Sequence, residues 1–212
     1  MFDRTRLVAI SFAVGLVVPV FGSTIYVEQK LVSDLPGVAP VTDGSLVNPW
    51  GLAATATSPW WISDNGTGLS TVYNASGVKA LTVTIPPPAG GTSAAPTGIV
   101  ANLTTSDFQV TGAKSSFIFD TEDGTISAWR TGTSAVLEVD NSASGAVYKG
   151  LAEGNNGSGN FLYAANFNSG HIDVFNGSWA PATLSGGFVD TSLPTGYAPF
   201  DIQNINGQLY VT

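Results

Sequence analysis

A β-propeller, an all-β fold built from four-stranded blades, is the fold class that the sequence predicts. Three observations predict it. The chain carries 25 Gly and 12 Pro among 212 residues with only 10% charged side chains, a mixture suited to short strands and tight turns and poor for long helices. A strand-turn-strand cassette occurs three times, as Trp61-Ile62-Ser63-Asp64-Asn65-Gly66-Thr67-Gly68-Leu69-Ser70-Thr71-Val72-Tyr73, as Phe117 to Trp129 and as Leu162 to Phe175. An opening phrase precedes each cassette, and its key positions Gly51, Gly98, Gly150 and Asp201 are spaced by 47, 52 and 51 residues. Units of about 50 residues holding four short strands are the repeat of a propeller blade.

Taken in order, the chain opens with Arg4 and Arg6 before an apolar run from Leu7 to Val20 and the small residues Gly22 and Ser23. That is the pattern of a secretory signal over residues 1–22, too short for a bilayer span of about 20 residues, so no membrane span is expected beyond it. Tyr26 to Val32 reads as a lead-in strand and Pro36-Gly37 as a turn. Blades then open at Asn48-Pro49-Trp50-Gly51, Ala95-Pro96-Thr97-Gly98, Tyr148-Lys149-Gly150 and Ala198-Pro199-Phe200-Asp201. Val78 to Ile85 and Ser134 to Val139 are the fourth strands of the first two units. Pro86 to Gly91 is a loop between units, because consecutive prolines do not sit in a central strand. The terminal aromatics Tyr73, Trp129 and Phe175 are expected to fill the gaps between stacked blades. The expectation is three complete blades and part of a fourth over residues 23–212, an incomplete arc of a propeller that is six-bladed when complete.

Composition removes several classes of function. A net charge of -8 with seven scattered basic residues argues against a phosphate backbone, so no nucleic-acid partner is expected. With no Cys and a single His, thiolate chemistry, Cys-bearing zinc sites and His-rich metal centres are excluded. Neither a Gly-x-Ser-x-Gly elbow nor a phosphate-binding Gly-x-x-x-x-Gly-Lys stretch occurs.

The Pro-x-Gly-Leu/Ile opening followed by strand, Asp/Asn turn and strand resembles NHL-repeat and TolB-like six-bladed propellers. The phrases Leu31-Val32-Ser33-Asp34-Leu35-Pro36-Gly37, Asn48-Pro49-Trp50-Gly51-Leu52 and Ile62-Ser63-Asp64-Asn65-Gly66-Thr67-Gly68 also look like an uncharacterised family of secreted bacterial propellers, some with a C-terminal sorting anchor. The resemblance covers residues 31–212, about the first half to two-thirds of a full-length member. It implies the fold and export, and it implies no reaction.

Propeller ligands usually meet the loops at one mouth of the central channel. The candidates there are Asn48, Trp50, Thr97, Lys149, Glu153, Phe200 and Asp201, on or beside the blade-opening strands. Gluconolactonase-like propellers hold a metal with Glu, Asn and Asp, some inside such Pro-x-Gly openings. Here the middle position is Trp50, Thr97, Lys149 or Phe200, none of them a good hard-metal ligand. Virginiamycin-lyase-like propellers use a catalytic histidine, whereas His171 follows a turn glycine and is read as an exposed residue on the outer part of a blade. No catalytic residue is therefore assigned. Asp120, Glu122 and Asp123 crowd three carboxylates into one turn and form a weak candidate for Ca2+, although Asp and Gly also suit a plain hairpin. Trp60 and Trp61 must face opposite sides of a strand, so at most one of them joins Trp50 in a stacking platform. The functional expectation is a non-catalytic exported scaffold binding a protein or polysaccharide without a cofactor. The alternatives are a metal-dependent hydrolase or lyase, led by Glu153 and Asp201, and a structural surface-layer protein.

Overall fold

The computed structural model describes residues 27–186, 188 and 192–212. The signal segment expected at 1–22 lies outside the described residues, as does Tyr26 of the expected lead-in strand. What the lead-in shows is a short parallel pair, β1 (Val32–Ser33) with β2 (Val41–Thr42), rather than one longer strand. This segment lies against blade 1. Tyr73 donates a 2.6 Å hydrogen bond to Asp43, and Lys79 forms a 2.8 Å ion pair with the same carboxylate.

Blade 1 is the antiparallel meander β3 (Pro49–Ala53), β4 (Trp60–Asp64), β5 (Leu69–Tyr73) and β6 (Lys79–Thr84). In the second blade β7 (Pro96–Ala101) is followed by an inserted hairpin, β8 (Gln109–Val110) and β9 (Ala113–Lys114). The blade then continues through β10 (Phe117–Thr121), β11 (Thr125–Trp129) and β12 (Val136–Asp140). Both expected fourth strands are present as β6 and β12. Blade 3 comprises β13 (Tyr148–Asn155), β14 (Asn160–Asn166) and β15 (His171–Asn176), and the fourth unit contributes β16 (Ile202–Ile205) and β17 (Gln208–Val211).

Blade 3 departs from the expectation of a complete four-stranded unit. Among the described residues its fourth position is only an isolated bridge between Phe175 and Pro181, followed by an Ala182 to Val174 backbone bond. Pro181 is tolerated in that bridge because it takes the non-hydrogen-bonded position, the flanking bonds being Ala182 N–H to the Val174 carbonyl and Asn176 N–H to the Ala180 carbonyl.

Three apolar clusters alternate with the blades. Trp61, Val72, Phe117 and Phe119 meet between blades 1 and 2, and Ile118, Ile126, Leu162 and Phe175 between blades 2 and 3. Ala152, Tyr163 and Ile202 pack between blade 3 and the fourth unit. The cassette aromatics are equivalent in register, since Tyr73 pairs with Trp60, Trp129 with Phe117 and Phe175 with Leu162. Trp129 fills the first gap against Trp61 at 4.5 Å, and Phe175 fills the second. Tyr73 faces the lead-in segment instead, because no blade precedes its own among the described residues. Strand alternation divides Trp61, 3% exposed, from Trp60, 47% exposed. The inserted hairpin, which the repeat pattern gave no reason to expect, plugs Phe108 and Val110 into the second gap.

The opening phrase has a structural cause. In all three blades the register between the first two strands shifts there, so that two residues of the inner strand oppose one of the next. Such bulges re-aim side chains and often border functional sites. Here they occupy Trp50-Gly51, Thr97-Gly98 and Lys149-Gly150. The glycines permit close approach of inner strands. A Cβ on Gly51 would stand 2.5 Å from the Thr97 carbonyl oxygen, and one on Gly98 would stand 2.5 Å from the Leu151 nitrogen.

Candidate functional site

Each inner strand leaves one mouth of the channel, and the second strand returns to it. The β4–β5, β10–β11 and β14–β15 turns therefore lie at the same end as the opening phrases, not on the outer part of the blade. Gly68, Gly124 and Gly170 close these turns with φ of 70°, 79° and 75°, a left-handed conformation that glycine adopts without steric cost. This arrangement brings turn residues against opening residues.

Lys149 is the centre of the resulting cluster. Its ammonium lies 5.0 Å from the centre of the Trp50 ring and 5.8 Å from those of Phe167 and Phe200. Trp50 and Phe200 stack at 5.7 Å with 26° between planes, and Phe167 meets Phe200 edge-on at 6.0 Å. The ammonium is also paired with Glu122. The other Glu122 oxygen accepts a 3.0 Å hydrogen bond from Asn65, whose own oxygen accepts one of 3.0 Å from Asn48. Asn48 holds a left-handed φ of 51°, a conformation Asn tolerates better than most residues. Burial by itself would raise the Glu122 carboxyl, but hydrogen bonds from Lys149 and Asn65 outweigh it and hold the group below its ordinary value. Behind the cluster the inner strands line an open cleft of about 620 Å3, bordered by Trp50, Thr97, Lys149, Phe200 and Asp201 among others.

Of the sequence candidates, Asn48, Trp50, Lys149 and Phe200 converge at this mouth. Thr97 is buried, and its hydroxyl lies 2.8 Å from Asp120 Oδ1 and 2.9 Å from the Tyr148 carbonyl, tying two blades together. Asp201 occupies the position of the earlier opening glycines, packs against Gly150 and accepts a 2.8 Å bond from the amide of Ile202. Glu153 is four residues beyond Lys149 at the opposite end of β13. There its carboxylate accepts a 3.2 Å bond from the Leu103 amide, and its backbone carbonyl accepts one of 2.8 Å from Asn204. Asn204 is three residues past Asp201, so Glu153 and Asp201 are about 10 Å apart along the strands. They share no metal-sized point, and the expectation that they jointly hold an ion is corrected. Glu153 instead lines a second, polar cavity of about 510 Å3 with Asn155, Asn160 and Asn204, and burial raises its carboxyl above the ordinary range.

The three carboxylates of the 120–124 turn diverge, contrary to the calcium reading. Asp120 turns inward, where Oδ1 accepts from the Gly98 amide at 2.5 Å, while Asp123 accepts from the Ala95 amide at 2.6 Å and Glu122 pairs with Lys149. Alternation along the strand and tight turn geometry separate them. Among the described residues no group of three or more His, Asp or Glu side chains could hold a metal. Burial pushes Asp120 up to about 7, against the opposing effect of the Thr97 hydroxyl and the Gly98 amide, which donate to Oδ1 and favour the ionised form. Asp64, fully buried at the end of β4, is raised to about 7 for the same reason. His171 is exposed, at the first position of β15.

Three members of the mouth cluster were not legible as such. Asn65 reads as a turn residue, Glu122 as a calcium candidate and Phe167 as an unremarked turn aromatic. The signal that identifies them is the meander itself, which returns the second turn of every blade to the mouth from which its inner strand departs.

Comparison with known proteins supports the fold and leaves the activity open. No protein-family model matches the chain. It is 32% identical over 193 residues to uncharacterized protein R648 of Acanthamoeba polyphaga mimivirus, covering 85% of this chain and 47% of that protein. It is 30% identical over 196 residues to uncharacterized protein L690 of the same virus, covering 85% and 50%. The chain thus spans about half the length of the curated relatives it matches. Among solved structures it is similar to virginiamycin B lyase from Staphylococcus aureus, in a catalytically inactive variant with quinupristin. That match has a TM-score of 0.57 at 14% identity and covers 80% of this chain and 50% of that one. A selenomethionine-substituted structure of the same enzyme gives a TM-score of 0.51 at 15% identity, covering 78% and 47%. At these identities the likeness establishes a shared β-propeller fold.

Proposed function

We propose that this chain belongs to an exported, non-catalytic binding propeller that takes its ligand on the aromatic and amide surface at the Lys149 mouth. The observation that carries this reading is the pairing of charge there. Lys149 pairs with Glu122 and Glu122 accepts from Asn65, so the two charges at the rim of the mouth satisfy each other beside the stacked Trp50 and Phe200. A surface of exposed aromatic faces with fixed amides beside it orients a ligand well and moves protons poorly. Export rests on the signal pattern of residues 1–22 and on the resemblance to secreted bacterial propellers.

The test compares the purified chain with Trp50→Ala and Phe200→Ala variants in calorimetric titrations against envelope polysaccharides and envelope protein fragments. Binding weakened at least tenfold by either substitution, and unchanged by Asn155→Ala at the far mouth, is the expected result. Binding indifferent to Trp50 and Phe200 would refute the assignment of the mouth.

One observation favours a second reading. Glu153, raised by burial in the far cavity, is the kind of carboxyl that serves as a general acid. A lyase or hydrolase acting there, on a lactone or on a cyclic peptide such as the quinupristin held by the structural neighbour, would show turnover abolished by Glu153→Gln.

A further inference from the structure

The charge and shape of the Lys149 mouth narrow its ligand to one chemical class. We infer that the mouth recognises a neutral glycan, with a pyranose ring seated on the exposed ring area of Phe200 and Phe167, which Trp50 backs by stacking on Phe200, and its hydroxyls held by Asn48, Asn65 and Glu122. This inference rests on the reading of the mouth as a binding site and specifies what it binds.

Charge comes first. The Lys149–Glu122 pair cancels within the site, and Lys149 already occupies the space over Trp50, Phe167 and Phe200 where a ligand cation would sit. A cationic ligand would have to displace it. An anionic polymer meets a chain of net charge -8 and finds the mouth lysine already paired. An uncharged ligand faces neither obstacle.

Surface chemistry is the second argument. Phe200 and Phe167 remain 44% and 42% exposed although they contact each other, so apolar ring area stays open at the mouth. Sugar rings present flat C–H faces that pack on aromatic planes, and their rims carry hydroxyls that donate and accept. The amide chain matches such a rim. Asn48 uses one N–H on Asn65, and Asn65 uses one N–H on Glu122, so each side-chain amide keeps a second N–H, and Asn48 keeps its oxygen. The internal bonds hold these groups in place before a ligand arrives, which lowers the ordering cost of binding. The adjoining cleft of about 620 Å3 lies within the roughly 300–1,000 Å3 of small-ligand sites.

The experiment titrates the purified chain with cello-, isomalto-, manno- and xylo-oligosaccharides by calorimetry at 50 and 500 mM NaCl. Heparin and a set of envelope protein fragments serve as the competing classes. Trp50→Ala, the milder Trp50→Phe and Asn65→Leu are run in parallel, each checked for an unchanged melting profile. The expected result is binding of at least one neutral oligosaccharide series, with affinity changing less than twofold between the two salt concentrations. Trp50→Ala and Asn65→Leu should each weaken it tenfold or more, and Trp50→Phe should retain most of it. Failure of every neutral series, while a protein fragment or heparin binds in a Trp50-dependent way, overturns the glycan assignment and leaves the mouth as a binding site. Binding of any probe that is insensitive to all three variants overturns both.

Discussion

Gly98→Ala tests the physical reason for the opening phrase. A Cβ at this position would lie 2.5 Å from the Leu151 nitrogen, 2.7 Å from Asp120 Oδ1 and 2.9 Å from the Leu151 Cβ. Comfortable contacts for carbon are about 3.5–4.0 Å, so the strand carrying Leu151 must retreat by about 1 Å. Two of the three obstructing atoms belong to or sit directly on backbone and cannot swing aside. Overpacking of this kind costs about 1–3 kcal/mol, and the reduced freedom of the unfolded chain returns about 0.4–1 kcal/mol. The net loss of about 1–2 kcal/mol should lower the melting temperature by about 2–8 °C in a domain of this size. Gly44→Ala is the matched control, because a Cβ there meets nothing within 4 Å and the backbone is not left-handed. Thermal melts followed by circular dichroism decide the question. A Gly98→Ala protein melting at or above the Gly44→Ala protein would refute the account of inner-strand approach.

Two other predictions concern carboxylates whose titration the fold shifts. Asp64 and Asp120 both have folded values of about 7, raised by burial above the ordinary 3.8. Their contribution is therefore complete below about pH 4 and is lost as pH rises toward 7, at up to about 1.4 kcal/mol per pH unit for each group. Denaturation midpoints should fall between pH 4.5 and pH 7.5, and Asp120→Asn should flatten that decline; equal slopes in the two proteins would exclude the mechanism. Asp43 runs the other way. Burial opposes its ionisation, but Lys79 and Tyr73 prevail and hold it at about 2, so its contribution disappears as pH falls from about 4 to 2. Tyr73→Phe removes a hydrogen bond to a charged acceptor and should cost about 1.5–3 kcal/mol at pH 6, less at pH 2, measured as the difference in urea midpoints.

Strand periodicity and repeat spacing were enough to place β4, β5, β10, β11, β14 and β15, since each follows from local alternation and a turn glycine within a dozen residues. The opening glycines were legible as repeats, but their reason was not. It depends on a neighbouring inner strand about 50 residues away that leaves no room for a Cβ. The same limit explains the misreadings. Glu153 and Asp201 look alike as acidic residues near blade openings, yet the extended strand carries one to each end of the channel. The fourth position of blade 3 is reduced to one bridge at Pro181 where the repeat implied a strand, and the 109–114 hairpin interrupts the repeat without any periodic cue.

What the sequence by itself determined is the all-β repeat, because strand alternation, turn glycines and a recurring spacing act over short distances. What only the tertiary structure decided is the mouth cluster. Asn48, Asn65, Glu122, Lys149, Phe167 and Phe200 span some 150 positions of the chain. They meet because each blade returns its second turn to the mouth where its inner strand begins, and because a glycine in each bulge lets neighbouring inner strands approach closely.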